Sequence, residues 1–194
     1  VKYDKEWITV GDTVETPYYS VKFNPDGSIE SLYDKELSRQ WADGDFNKLK
    51  IYTDNPGNYD AWDILPNYKD REVEVKILSP LKTVEKNSEV VSFACTLGTE
   101  KSTWKRIIRV FRQSRGIEVE NIVDWDEKHV LAKAQFDCNV LTRKAVCDTS
   151  AGFVERETHR NTTWQQARFE VCHHKWADMA ETDGGIALIN DSKY

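Results

Sequence analysis

Alternating apolar and polar residues run through most of this chain, and a period of two predicts β-strands rather than helices. The alternation is clearest in Arg71–Leu78 and in Gly116–Trp125, where Ile117, Val119 and Asn121 fall on one face. Strand-like segments separated by turn residues about every 10 to 14 positions are typical of an antiparallel sandwich or meander. We therefore expect an all-β fold.

The clearest turn signal is Asn24-Pro-Asp-Gly27, which lies between the strand-like segments Tyr18–Phe23 and Ser28–Tyr33. Pro25 presets φ for the turn, and Gly27 supplies a positive φ without steric cost. The sequence therefore predicts a β-hairpin here.

Two further segments, Glu89–Leu97 and Trp104–Phe111, are rich in β-branched and aromatic residues and are predicted strands. No segment has the pattern of an amphipathic helix of three or more turns. Lys128–Phe136 is the best helix candidate, but its apolar residues also alternate along one face, so we favour a strand. No repeat, low-complexity stretch or linker interrupts the chain, and we expect a single β-sandwich domain over residues 1–194.

Charge and hydropathy argue against several classes of partner. The net charge is −6 and no basic block is present, which argues against nucleic acid. No apolar run approaches the roughly 18 residues of a membrane span. Residues 1–7 are charged throughout, so we expect no signal peptide, and both ends look cut from a longer chain.

The four cysteines, Cys95, Cys138, Cys147 and Cys172, are far apart and show no Cys-x-x-Cys spacing. This spacing disfavours a zinc ribbon or a redox motif. We expect reduced, mostly buried thiols, which favours a cytoplasmic setting.

Two stretches, Asp54–Asp63 and Thr158–Glu170, mix aromatic residues with many hydrogen-bonding groups. Aromatic faces pack on the C–H surfaces of sugars, and polar side chains bind the hydroxyls. The alternative is that the aspartates hydrogen-bond their own loop and the tryptophans anchor the loops to protein. The candidate sugar-contacting residues are Tyr59, Asp60, Trp62, Asp63, His159, Arg160, Asn161, Trp164 and Arg168.

Catalytic groups are harder to find, since no nucleophile–base motif or phosphate-binding loop stands out. A zinc site from His173, Asp178 and Glu181 lacks compact ligand spacing. We therefore predict no catalytic and no metal-binding residue in this chain. The least favoured alternative is an aldose epimerase in which His159 or His173 works with Glu170 as an acid–base pair.

The two mixed stretches also carry a family resemblance. Gly57–Ile64 and Thr158–Val171 resemble segments of glycoside hydrolase family 38 α-mannosidases that follow the catalytic domain. Further segments resemble the same family in the same order, from about Tyr18 to the end of the chain: Trp125–His129, His174–Asp178 and Leu188–Tyr194.

The resemblance implies a large antiparallel β-sandwich of the galactose-mutarotase-like type. It implies a parent enzyme that hydrolyses terminal α-mannosides with retention, through a carboxylate nucleophile and a zinc ion held by the preceding catalytic domain. This chain would then hold no cofactor and be inactive alone, and its partners would be the N-terminal catalytic domain of the same polypeptide and the mannoside. The family's tyrosine at the sugar site corresponds best to Tyr59. A purely structural interdomain module that never contacts sugar is the main alternative.

Overall fold

A computed structural model describes residues 9–10, 13–60 and 62–191 of the chain. The charged start at residues 1–7, Ala61 and the last three residues, all part of segments discussed above, lie outside the described residues. The strands are β1 Thr9–Val10, β2 Thr13–Glu15, β3 Tyr19–Phe23, β4 Ile29–Asp34, β5 Arg39–Gln40, β6 Ala42–Thr53, β7 Glu72–Val73, β8 Lys76–Lys86, β9 Val90–Gly98, β10 Thr103–Phe111, β11 Ile117–Asp124, β12 Val130–Cys138, β13 Lys144–Thr149, β14 Gly152–Glu157, β15 Trp176–Ala180 and β16 Gly185–Ile189. The helices are a 3₁₀ helix, Tyr68–Arg71, and α1, Thr163–Ala167.

The strands form three sheets in which neighbouring strands are antiparallel. The first sheet has the order β1-β2-β3-β4-β6-β12, with β5 beside β4 and β7 beside β6. The second sheet has the order β11-β10-β9-β8, and the third has the order β14-β13-β15-β16. The all-β antiparallel architecture expected from the sequence is confirmed. No helix in the described ranges is both long and apolar enough to cross a membrane.

The described chain divides into two compact units, Val1–Cys138 and Asn139–Tyr194. Unit 1 holds the first two sheets and unit 2 holds the third. Two compact units can belong to one folding domain, so the expectation of one domain over residues 1–194 stays a prediction.

In unit 1 the first and second sheets pack face to face as a β-sandwich. Phe23 of β3 meets Phe93 of β9 with ring centroids 5.5 Å apart. At another point of the core, Ile51 of β6 packs with Leu97 of β9 and Trp104 of β10. Alternate residues of β9 and β10 therefore supply the inner face, as the β-branched and aromatic pattern predicts.

The predicted hairpin is present as β3 and β4. The Gly27 N–H donates to the Asn24 carbonyl oxygen at 2.9 Å, and Gly27 has φ +75°. Pro25 accepts a hydrogen bond from the Leu81 N–H at 2.8 Å, so the turn is also held against β8 of the second sheet.

The prediction of one continuous strand over Arg71–Leu78 is wrong. Arg71 ends the 3₁₀ helix, β7 adds Glu72–Val73 to the first sheet, and β8 begins at Lys76 in the second sheet. Val73 and Val75 both pack against the core cluster around Trp104. The chain crosses from the first sheet to the second between Val73 and Lys76, and the alternation of residue types continues through this crossing.

Arg106 of β10 is a charged side chain that lies in the sandwich core, 3% exposed. Its Nη1 donates to the Asn47 carbonyl oxygen at 3.0 Å, and its Nε donates to Asn121 Oδ1 at 3.2 Å. Burial lowers the pKa of this guanidinium. Arg106 therefore ties β6 of the first sheet to β10 and β11 of the second.

All four cysteines are free thiols, but only Cys95 and Cys147 are buried, while Cys172 is exposed. Burial raises the pKa of the Cys95 thiol to about 11, against the opposing effect of the nearby Arg106 charge. The thiol donates to the Asp26 carbonyl oxygen at 3.3 Å.

These environments predict the order of thiol alkylation in the folded protein. Because the thiolate is the reactive form, Cys95 is expected to react with iodoacetamide at least roughly a hundredfold more slowly than Cys172 at neutral pH. Timed labelling followed by peptide mass spectrometry measures both rates, and labelling in denaturant, where all four cysteines should react alike, is the control. Equal labelling of Cys95 and Cys172 in the folded protein would contradict the buried position of Cys95.

Candidate functional site

The first candidate segment is the 54–65 loop, which joins the end of β6 to the 3₁₀ helix of unit 1. Its two ends are held together by Asp54, a buried aspartate. Asp54 Oδ1 accepts a hydrogen bond from the Leu65 N–H at 2.9 Å, and the Asp54 N–H donates to the His129 carbonyl oxygen at 2.8 Å. These bonds bring the two ends of the loop together beside the start of β12. We call this closed base, formed by Asp54 and Leu65, the neck of the loop.

The tip of the 54–65 loop is a tight turn built on Tyr59. The Tyr59 carbonyl oxygen accepts hydrogen bonds from the N–H groups of Trp62 and Asp63 at 2.7 and 2.8 Å. Tyr59 has φ +58°, a left-handed conformation that is uncommon for a bulky residue. The turn leaves both aromatic side chains in solvent, with Tyr59 76% and Trp62 88% exposed.

A cleft of about 340 Å³ lies between this loop and the start of β12. Its polar lining is three carboxylates and one imidazole. His129 Nδ1 lies 3.5 Å from Asp60 Oδ2 across the cleft. The lining residues are Asp54, Asp60, Trp62, Asp63, Ile64, His129, Val130 and Leu131.

The second candidate segment is the 158–170 loop of unit 2, which follows β14 and contains α1. The Thr158 N–H and hydroxyl donate to the carbonyl oxygens of Arg143 and Thr142 at 3.1 and 2.7 Å, which fixes the start of the loop. Thr162 and Gln165 form a capping box at the start of α1.

Polar groups of the 158–170 loop also bond to one another. Arg160 Nη2 donates to the Phe169 carbonyl oxygen at 3.2 Å, and the Asn161 N–H donates to His159 Nδ1 at 3.4 Å. His159 Nε2 lies 3.8 Å from Glu157 Oε1. Trp164 of α1 is 74% exposed. The loop is therefore ordered by its own hydrogen bonds and leaves its tryptophan in solvent.

The nine predicted sugar-contacting residues thus fall into two groups. Tyr59, Asp60, Trp62 and Asp63 lie together around the cleft of unit 1. The other five lie in the 158–170 loop of unit 2: His159, Arg160, Asn161, Trp164 and Arg168. All nine are exposed except His159, which is half-buried.

Two polar residues of the cleft, Asp54 and His129, were not among the predicted site residues. The bond from the Leu65 N–H to Asp54 Oδ1 agrees with the alternative that the aspartates hydrogen-bond their own loop, but the sequence does not show which residue is the partner. His129 adopts φ +54°, and its approach to Asp60 depends on the pairing of β12 with β6. The resemblance of Trp125–His129 to the same family was the one sequence signal for this region.

Both loops combine exposed aromatic side chains with polar groups. Within residues 9–10, 13–60 and 62–191, no group of three or more His, Cys, Asp or Glu side chains is arranged to hold a metal ion. Glu157 is a carboxylate near His159, and the epimerase alternative, which pairs His159 or His173 with Glu170, stays a hypothesis. Exposed aromatic faces next to carboxylates and an imidazole suit a ligand rich in hydroxyl groups.

Comparison with known proteins gives one family for nearly the whole chain. The family model described as the glycosyl hydrolases family 38 C-terminal domain matches residues 14–194. The match includes both candidate loops.

Individual relatives agree with the family model. "Alpha-mannosidase G" of Dictyostelium discoideum is 32% identical over 93% of this chain and 17% of its own length. "Alpha-mannosidase" of Saccharomyces cerevisiae is 31% identical over 87% of the chain and 17% of its length, and human "Alpha-mannosidase 2C1" is 29% identical over 94% and 18%. The chain thus spans under a fifth of the length of these relatives, and it belongs to the C-terminal domain family of the family 38 glycosyl hydrolases.

Proposed function

We propose that this chain is the C-terminal β-domain of an α-mannosidase that hydrolyses terminal α-mannosides with retention of configuration, and that the 54–65 loop contacts the sugar. The similarity to three α-mannosidases supports the reaction class. The nucleophile and the zinc ion belong to a preceding catalytic domain in this proposal. The free thiols support the cytoplasmic setting expected from the sequence.

The observation that carries the proposal is the exposure of Tyr59 and Trp62 on a loop with a closed neck and a fixed turn. A large aromatic side chain that stays in water adds no burial energy to folding stability. Two such side chains on one ordered loop provide an apolar surface on which a ligand can bind. The carboxylates of Asp60 and Asp63 line the cleft beside them and accept hydrogen bonds from hydroxyl groups. The loop therefore offers the flat apolar faces and the acceptors that a sugar ring requires.

Substitutions at the loop tip test the sugar contact in the full-length protein. Tyr59→Ala and Trp62→Ala are each expected to lower kcat/KM for a chromogenic α-mannoside about tenfold, because an aromatic contact of about 1 to 1.5 kcal/mol is lost. Tyr59→Phe keeps the ring and is expected to lower it about threefold through loss of one hydroxyl hydrogen bond. Steady-state kinetics measures all three effects.

Tyr33→Ala is the matched control, since Tyr33 is also an exposed tyrosine of unit 1 but lies on β4. Its kcat/KM is expected to stay within about twofold of the parent value. Unchanged kinetics in all three loop variants would contradict the sugar contact and favour a role in packing against another part of the protein.

A purely structural role has its own supporting observation, which concerns unit 2. This unit exposes several large apolar side chains, and such side chains are buried when they lie in a protein interface. The set is Leu141 87%, Phe153 66%, Trp164 74%, Leu188 55% and Ile189 75% exposed. We therefore propose, as the second candidate role, that the 158–170 loop packs against the catalytic domain.

A further inference from the structure

We propose that Asp54 is a positioning residue, which holds the 54–65 loop closed so that Tyr59 and Trp62 are presented in one orientation. The proposal rests on the proposed sugar contact of this loop for its effect on activity. Its structural part depends only on the hydrogen bonds of the loop.

Asp54 closes the neck of the loop. Asp54 and Leu65 are eleven residues apart in the chain, and one hydrogen bond from the Leu65 N–H to Asp54 Oδ1 joins them. Asp54 is 9% exposed, so water competes poorly for this bond. A buried acceptor that joins the two ends of a loop removes most of the conformations otherwise open to the segment between them.

His129 contacts the side of the loop that lies next to the start of β12, and we call this side the flank of the loop. Its carbonyl oxygen accepts the Asp54 N–H at 2.8 Å, and its Nδ1 lies 3.5 Å from Asp60 Oδ2. The loop is therefore bonded to His129, at the start of β12, through the Asp54 N–H at the neck, and the Asp60 carboxylate lies close to the His129 imidazole nearer the tip. The charged and titratable groups that line this cleft are Asp54, Asp60, Asp63 and His129.

At the tip of the loop, the described residues other than Asp60 bond to one another within the loop. Its turn is held by bonds to the Tyr59 carbonyl oxygen from Trp62 and Asp63, all within the loop. The orientation of the aromatic side chains relative to the sandwich therefore depends on the neck and the flank. A binding surface that is ordered before the ligand arrives loses less conformational entropy on binding.

The test uses the full-length protein with two substitutions at the neck and one at the flank. Asp54→Ala removes the acceptor, whereas Asp54→Asn keeps an oxygen that can accept the Leu65 N–H. His129→Asn removes the imidazole beside Asp60, and asparagine tolerates the positive φ of this position. Asp70→Ala is the matched control, since Asp70 is an exposed aspartate in the 3₁₀ helix that follows the loop.

Amide hydrogen exchange and kinetics are the two readouts. Asp54→Ala is expected to raise exchange over residues 55–65 about tenfold while leaving the core strands unchanged, and His129→Asn about threefold. We expect Asp54→Ala to raise KM for a chromogenic α-mannoside about tenfold with a smaller change in kcat, and Asp54→Asn to restore most of both effects. Asp70→Ala should change neither exchange nor kinetics.

The outcomes separate this inference from the proposed function. Faster exchange with unchanged KM and kcat would support the closed neck and contradict the sugar contact. Unchanged exchange in Asp54→Ala would overturn the positioning role whatever the kinetics show. Asp54→Asn behaving like Asp54→Ala would also overturn it, because the accepting oxygen would then not be what matters. If Asp54→Ala fails to fold, the Leu65 amide of the parent protein carries the test, since it should exchange at least about tenfold more slowly than an unstructured amide, and an unprotected Leu65 amide would overturn the positioning role.

Discussion

Trp104→Ala is expected to lower the free energy of unfolding by about 3 to 5 kcal/mol, the range for truncating a large buried aromatic side chain. Trp104 is 5% exposed and packs with Ile51 of the first sheet and Leu97 of the second. Its ring also meets Trp125 edge to face at 5.3 Å. The substitution opens a cavity where the two sheets meet, and neither sheet can close it without moving the other.

Denaturant unfolding followed by far-ultraviolet circular dichroism measures this loss without relying on tryptophan fluorescence. Trp62→Ala is the matched control, because Trp62 is 88% exposed in the same unit and its removal should change stability by no more than about 0.5 kcal/mol. Trp104→Phe, which keeps an aromatic ring, should retain more of the stability than alanine does. Equal losses at Trp104 and Trp62 would contradict the position of Trp104 in the sandwich core.

Local features of the fold were predictable because local physics determines them. The β3–β4 hairpin follows from Pro25 and Gly27, whose backbone preferences act within the four residues of the turn. Lys128–Phe136 was correctly interpreted as a strand, since β12 covers Val130–Cys138. β-Branched and aromatic composition also identified β9 and β10, and alternation identified β11, each with ends shifted by a residue or two.

Features that depend on distant contacts were not predictable. Alternation over Arg71–Leu78 continues through a crossing between two sheets, so the pattern did not show where β7 ends and β8 begins. Alternation placed Asn121 on the same face of its strand as Ile117 and Val119, but its bond to Arg106 depends on the pairing of β10 with β11. A period of two shows which side chains share one face of a strand, but it does not show which residues pack against that face.

The candidate site likewise combines features that were predictable from the sequence with features that depend on distant contacts. Composition selected both mixed loops, because sugar-binding chemistry depends on residue types that are visible in the sequence. The arrangement of the 54–65 loop depends instead on the Asp54 bond to Leu65 and on the approach of His129 to Asp60. His129 is far from the loop in the chain, and the pairing of β12 with β6 brings it to the cleft.

Gly27→Ala is expected to lower the free energy of unfolding by about 2 to 4 kcal/mol through two separate costs. Gly27 has φ +75°, where an L side chain costs about 1 kcal/mol or more. A Cβ at this position would also lie 2.9 Å from Arg106 Cδ and 3.0 Å from Cys95 Sγ, which adds about 1 to 3 kcal/mol for overpacking. Neither neighbour moves easily, because the Arg106 guanidinium is bonded to Asn47 and the Cys95 thiol to Asp26.

Gly57→Ala separates these two costs. Gly57 has φ +84°, close to that of Gly27, but a Cβ there would meet no atom within 4 Å. Its substitution is expected to cost about 1 kcal/mol for the backbone alone. Denaturant unfolding of the two variants side by side therefore gives the packing cost of the hairpin tip as their difference. Equal losses of unfolding free energy in the two variants would mean that a Cβ at Gly27 does not overpack against the second sheet.

A double-mutant cycle with Cys95→Ala identifies the contact responsible. Removal of Sγ leaves room beside Gly27, so Gly27→Ala should cost about 0.5 to 2 kcal/mol less in the Cys95→Ala background than in the parent. The reduction is incomplete because the contact with Arg106 Cδ at 2.9 Å remains. Additive losses in the cycle would exclude Cys95 as the obstacle and leave Arg106, which ties the two sheets together, as the group that must move.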